Sequence, residues 1–88
     1  MKEKPKDIEE LYKYSYENKE FLKESKECIC FYCFAKYNYD EIKEWVEDHH
    51  GFTAKCPRCG IDSVIPANIN NKKITDDKVK ELQKCYFE

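Results

Sequence analysis

Two pairs of cysteines carry the chemistry that this chain can do. Cys30 and Cys33 stand in "CFYC", Cys56 and Cys59 in "CPRC", and residues 34–55 separate the pairs. Four thiolates satisfy zinc in a tetrahedron, and two short loops can each present two sulfurs. In such a loop the first cysteine leads into a tight turn and the second closes it. Backbone N–H groups then point at the sulfurs and share their negative charge. Pro57 fixes φ for the second turn. Gly60 follows the closing cysteine, permits a positive φ and leaves no side chain near the metal. The first loop is the weaker half, because Phe34 occupies the place of that glycine. Cys30, Cys33, Cys56 and Cys59 are therefore the expected ligands of one structural zinc ion, with iron as the substitute that four thiolates also accept.

Two cysteines fall outside this pattern. Cys28 precedes Cys30 by two positions and shares a strand face with it. It is a candidate alternate ligand or a thiol beside the site, and packing in a core is the simpler role. Cys85 has no nearby cysteine and reads as core or as a partly exposed thiol. His49 and His50 suit the end of an acidic helix better than metal ligation.

Catalysis finds little support in the residues. A dithiol oxidoreductase needs a depressed cysteine pKa, usually from a helix that starts at the motif. Here "GIDSVIP" follows Cys59, which favours a strand, and Arg58 is the only cation in the loop. A catalytic zinc keeps one open position, which four cysteines would close. The chain has no Gly-rich phosphate loop and no H-E-x-x-H. Asp62 and Ser63 have no histidine arranged to activate the serine, and they read as residues that stabilise the turn after the second pair. The expectation is a protein that is not an enzyme.

The elements that must position the cysteines can be read from spacing. Residues 1–6 read as a frayed end. Ile8, Leu11, Tyr12, Tyr16, Phe21 and Leu22 predict helix over 7–25, broken in two where Asn18 caps the second piece. Residues 27–32 suit a strand running into a turn. Asn38 and Glu41 form a capping box that opens a helix over 40–48, with Ile42, Trp45 and Val46 on its apolar face and Gly51 ending it. Residues 52–55 and 63–66 predict strands around the second cysteine pair. Residues 67–73 read as a polar loop. Thr75 caps a last helix with Val79, Leu82 and Tyr86 on one side. This is an α+β fold: short antiparallel strands and flanking helices around one four-cysteine site, as a single domain over 1–88. Ile42, Trp45 and Phe52 are expected to pack beside the metal.

Composition bounds the partners. At 88 residues the chain has little room for a core, and domains this small often need a metal, disulfides or a partner. Charged residues make up 39% of it, and mean hydropathy is −0.92. One tryptophan, seven tyrosines and five phenylalanines supply most of the area available for burial. The formal charge is −2 and arginine occurs once, so nucleic acid is not the favoured partner. Lys13, Lys19, Lys23 and Lys26, or Lys72, Lys73 and Lys80, would supply the local patch for a nucleic-acid-binding ribbon, but acidic neighbours interrupt both groups. Over 38–50, Lys43 stands against Asp40, Glu41, Glu44, Glu47 and Asp48, leaving −4 with the histidines neutral. That acidic helix would suit a basic protein partner. The opening "MKEKPKDIEE" is charged throughout and resembles neither a signal peptide nor a membrane anchor, so the expected location is the cytoplasm, where thiols stay reduced.

The segments "CICFYC", "EIKEW", "CPRCGIDSVI" and the final "CYFE" together resemble a family of small bacterial zinc-ribbon-like cytoplasmic proteins. The family pattern runs C-x-C-F-Y-C, an E-I-x-x-W helix, C-P-Y-C-G-I-D-S-V-I and a last helix ending W-F. The likeness covers about residues 18–87. Ile29 departs from a usual glycine, and Tyr86 from a usual tryptophan. Neither departure touches the four cysteines. The resemblance implies a zinc-ribbon-like fold and a cytoplasmic protein, and it attaches no activity. The "CPRCG" half is also similar to rubredoxin, which keeps iron and electron transfer as an alternative. An adaptor, a regulator or an immunity-type protein are the roles that a non-catalytic zinc module of this kind would fill.

Overall fold

The computed structural model describes residues 5–87. The chain opens with helix α1 (Lys6–Tyr12), which tightens into a 3₁₀ turn over Lys13–Ser15, and continues with α2 (Lys19–Ser25). Most of the frayed end expected over residues 1–6 lies outside the described residues, and Lys6 already belongs to α1. Strands β1 (Glu27–Cys30) and β2 (Lys36–Asn38) follow, then a 3₁₀ turn at Tyr39–Glu41. Strands β3 (Trp45–Glu47), β4 (Phe52–Ala54), β5 (Val64–Pro66), β6 (Asn68–Ile69) and β7 (Lys72–Lys73) lead to α3 (Asp76–Phe87). The radius of gyration is 12.1 Å, close to the roughly 12 Å expected of a compact chain of this length. Among the described residues no helix is long and apolar enough to cross a membrane.

Strand β1 is the centre of the fold. It pairs antiparallel with β2 on one side and with β5 on the other, giving a three-stranded sheet. Successive side chains of a strand point to opposite faces. Cys28 and Cys30 therefore face one way, into a cluster with Leu22, Tyr37, Ile42, Ala54, Cys56 and Val64. Ile29 and Phe31 face the other way, into a cluster with Ile8, Ile65, Ala67, Val79 and Leu82. "CICF" thus serves two cores at once. One is built around the cysteines, and α1 and α3 form the other.

Helices α1 and α3 are joined at three levels. The Tyr12 and Tyr86 rings stack with centroids 3.8 Å apart and planes within 7°. Asp7 pairs with Lys78. Ile8, Val79 and Leu82 bury between them. Thr75 caps α3 as its sequence suggests, its Oγ1 accepting from the Lys78 N–H at 3.4 Å.

The helix expected over 40–48 does not form. The capping box at Asn38 and Glu41 is present, but it opens only the 3₁₀ turn. Residues 45–47 then pair with 52–54 as an antiparallel hairpin. The Asp48 carboxylate accepts from the N–H groups of His50 and Gly51, at 2.8 and 3.0 Å, and closes the turn. Trp45, Val46, Phe52 and Thr53 are aromatic or β-branched, and this cross-strand partner outweighs their helical spacing. Residues 67–73 are more ordered than a polar loop. They form the β6–β7 hairpin, with Asn70 and Asn71 at φ of 53° and 65°, the pair of left-handed residues of a type I′ turn.

Asn18 has a different role from the one its sequence context suggests. It precedes α2, but its side chain makes no capping bond. The side chain is fully buried. Its Nδ2 donates to the carbonyls of Tyr14 and Val64, both at 2.8 Å, and its Oδ1 accepts from the Ala54 N–H at 3.2 Å. One amide thus satisfies three backbone groups and ties the N-terminal segment to β4 and β5. Replacing Asn18 with Ala would leave buried partners unpaired, and a loss of about 3 kcal/mol is expected in urea unfolding of the metal-loaded protein. Asn18→Asp keeps the shape but not the two donations, so it is expected to destabilise at least as much. A loss under 1 kcal/mol for both would contradict this role.

Candidate metal centre

The two C-x-x-C loops fold alike. In the first, the Cys30 N–H donates to the Ala35 carbonyl at 3.0 Å, and the Phe34 N–H to the Cys30 carbonyl at 2.9 Å. In the second, the Cys56 N–H donates to the Ile61 carbonyl and the Gly60 N–H to the Cys56 carbonyl, both at 2.9 Å. Both loops turn their closing residue left-handed, Gly60 at φ 79° and Phe34 at φ 64°. Phe34 makes the same turn as glycine at a steric cost, so the weaker half of the motif closes in the same way as the stronger. The loops also aim N–H groups at sulfur. Tyr32 and Cys33 donate to Cys30 Sγ at 3.3 and 3.4 Å, and Arg58 to Cys56 Sγ at 3.3 Å.

The loops bring four sulfurs together. Cys30 Sγ lies 3.7 Å from Cys59 Sγ, and Cys33 Sγ lies 3.7 Å from Cys56 Sγ. The ligand atoms of all four residues lie within 4.8 Å of one another. Tetrahedral zinc–sulfur bonds of about 2.3 Å require sulfur–sulfur separations of roughly 3.8 Å. The four cysteines are therefore spaced to hold one metal ion. Cys30 and Cys56 are buried, Cys59 is half-buried and Cys33 is exposed, so the site sits at the edge of the core with one side toward solvent.

The electrostatics fit a cation at the centre. Burial pushes the Cys30 thiol up to about 12, against the N–H groups of Cys33 and Tyr32 and the Ser63 hydroxyl. Burial also raises Cys59. For Cys56, burial is again the largest single influence and opposes ionisation. The Tyr37 hydroxyl and the N–H groups of Cys59 and Arg58 together reverse it, and bring Cys56 down to about 6. Four neighbouring thiolates repel one another, and a dication removes that penalty. The Tyr37 hydroxyl makes the same point. It is buried with no partner of ordinary hydrogen-bond geometry, yet it lies near enough to Cys56 to favour the thiolate. A metal-bound thiolate there would accept a hydrogen bond from this O–H.

Ile42, Trp45, Cys28 and Cys85 take the places their sequence suggests, while Ser63 and Phe52 differ. Ser63 is no mere turn residue: it is buried, and its Oγ lies 3.0 Å from Cys30 Sγ. Cys28 is fully buried in the same core cluster but stands outside the four-sulfur group, and burial raises its thiol to about 12. Ile42 is buried in the cluster and Trp45 packs against it. Phe52 does not join them. It is exposed, and the Lys19 ammonium lies 4.8 Å from its ring centroid. His49 and His50 are exposed in the β3–β4 turn. Cys85 is half-buried against the helical core.

The acidic residues do not form one helical face. Asp40 and Glu41 lie in the 3₁₀ turn, Glu44 in the link to β3, Glu47 in β3 and Asp48 in the hairpin turn. Glu41 is engaged twice, through the Asn38 N–H at 3.0 Å and the Arg58 guanidinium at 3.0 Å. Arg58 is thereby held to a carboxylate in the "CPRC" loop. Among the described residues no helix begins at that loop, which runs through Gly60 and Ser63 into β5.

No protein-family profile, curated protein or solved structure matches the chain. The assignment of the site rests on its own geometry.

The shared turn gives an opposed pair of expectations. Phe34→Gly removes a left-handed non-glycine residue, and a gain of about 1 kcal/mol is expected in the unfolding free energy of the metal-loaded protein. At Gly60 a Cβ would meet nothing within 4 Å, so Gly60→Ala isolates the backbone cost. It is expected to lower stability by about the same amount. Equal behaviour of the two variants in denaturant unfolding would contradict the equivalence of the loops.

Proposed function

We propose that the chain is a non-catalytic zinc module of the zinc-ribbon kind, which acts by binding another protein. The observation that carries this reading is the closed group of four sulfurs. With four thiolates bound, zinc has no position left for water or substrate. Its contribution is then folding free energy, which reaches about 10–16 kcal/mol for structural zinc in small domains. The depth of Cys30 and Cys56 in the core supports that role, since the metal would fasten the β1 sheet to the second loop.

Thiol–disulfide catalysis is less well supported. The second loop lacks a following helix, and Arg58 is paired with Glu41. Iron in the same four sulfurs would give the rubredoxin-like alternative. The partner reading rests on the exposed aromatics that the small core leaves over, including Tyr16, Phe21 and Tyr32. Aromatic side chains of this kind are enriched where proteins meet.

Cobalt substitution tests the closed site. The Co(II)-loaded protein is expected to show a tetrahedral spectrum with strong thiolate-to-metal bands, unchanged by added azide or imidazole. A spectrum that shifts with either ligand would reveal an open position and overturn the structural reading. Pull-down from the native host with zinc-loaded protein is expected to retain a protein that Cys56→Ser does not; recovery of nucleic acid in its place would favour the ribbon's other common role.

A further inference from the structure

One lysine of the N-terminal group and two of the later group meet in one place. Lys13 ends the first helical stretch, and Lys72 and Lys73 form β7, yet all three line a groove of about 800 Å³ between α1, the β6–β7 hairpin and the start of α3. The floor is apolar: Leu11, Tyr14, Phe21, Ile69 and Ile74. The Tyr14 and Phe21 rings meet edge to face at 4.9 Å, and Phe21 is half exposed. A second hollow of about 520 Å³ shares Tyr14, Phe21, Ile69 and Asn70 and continues the groove around the hairpin.

The charge of the rim is opposite to that of the whole chain. Across the two hollows four lysines (13, 72, 73 and 78) stand against three carboxylates, Asp7, Glu10 and Glu24, while the chain carries −2. Asp7 is spent on Lys78. Asp76, at the start of α3, is paired with Lys36 and also feels the charges of Lys80 and Lys73. Among the described residues no carboxylate forms an ion pair with Lys13, Lys72 or Lys73. An apolar floor beneath unpaired lysines matches a ligand with apolar and acidic side chains.

We infer that this groove docks an acidic, amphipathic segment of a partner protein. Its apolar side chains would rest on Tyr14, Phe21 and Ile74, and its carboxylates would meet Lys13, Lys72 and Lys73. Nucleic acid fits less well. Among the described residues Tyr14 and Phe21 are the only rings in the floor and pack edge to face against each other, the net charge is negative, and the one arginine is held by Glu41. The inference rests on the protein-binding reading above and gives the partner its chemistry.

Selection of a random peptide library on the zinc-loaded protein tests it. Enriched peptides are expected to combine Asp or Glu with Leu or an aromatic residue, and to shift the amide signals of Lys13, Tyr14, Lys72 and Ile74. Lys72→Glu with Lys73→Glu, both exposed, is expected to weaken the best peptide about tenfold or more while zinc content and circular dichroism stay unchanged. Phe21→Ala is expected to weaken it independently of salt, and raising salt to weaken the wild-type complex. Basic peptides that map to residues 40–48 would overturn this groove while sparing the protein-binding reading. Binding that appears only as self-association of the chain would overturn it too. No enriched peptide, with single-stranded oligonucleotide binding lost in the lysine variants, would overturn both.

Discussion

Four sulfurs within 4.8 Å of one another set the terms on which this chain folds. Left as thiolates they repel, and burial alone makes ionisation of Cys30 costly. A dication at their centre would reverse both effects, and the loops are spaced to hold one. Each turns its closing residue left-handed, and each directs N–H groups at its leading sulfur. Ser63 sets its hydroxyl against Cys30 Sγ from the core side, and the buried Tyr37 hydroxyl lies near Cys56. Groups of this kind hold metal ligands in place and tune them.

The rest of the architecture follows from the position of β1. It delivers Cys30 to the four-sulfur group, and its alternate residues carry the core under α1 and α3. A domain of this size has little apolar surface to spare. A strand that works on both faces, with the four-cysteine group on one side and two joined helices on the other, makes up for that shortage. Asn18 closes the remaining gap by satisfying backbone groups from three segments with one buried amide. The surface is where the exposed aromatics and the lysine-rimmed groove lie.

Much of this was legible in the sequence because residue type and spacing encode it locally. The ligand set needed only the two cysteine pairs. Strand β1 and helix α3 announced themselves through alternation, capping and periodicity, as at Thr75, Val79 and Leu82. The segment over 40–48 misled because Ile42, Trp45 and Val46 suit a helix face and a strand equally. The choice was made by a partner strand at 52–54, which local spacing does not reveal. Phe34 hid its turn for a related reason, since only the finished loop forces a bulky residue into left-handed geometry. Asn18 and Ser63 are ordinary turn residues by type, and their buried roles exist only once distant strands close over them. The groove needed residues 13 and 72–73 to meet in space.

The most direct measurement is native against denaturing mass spectrometry, with elemental analysis, on protein purified without chelator. One zinc per chain is expected, kept by Cys28→Ala and lost together with the fold in Cys30→Ser. A metal-free, folded protein with Cys56 and Cys59 joined as a disulfide would contradict the account.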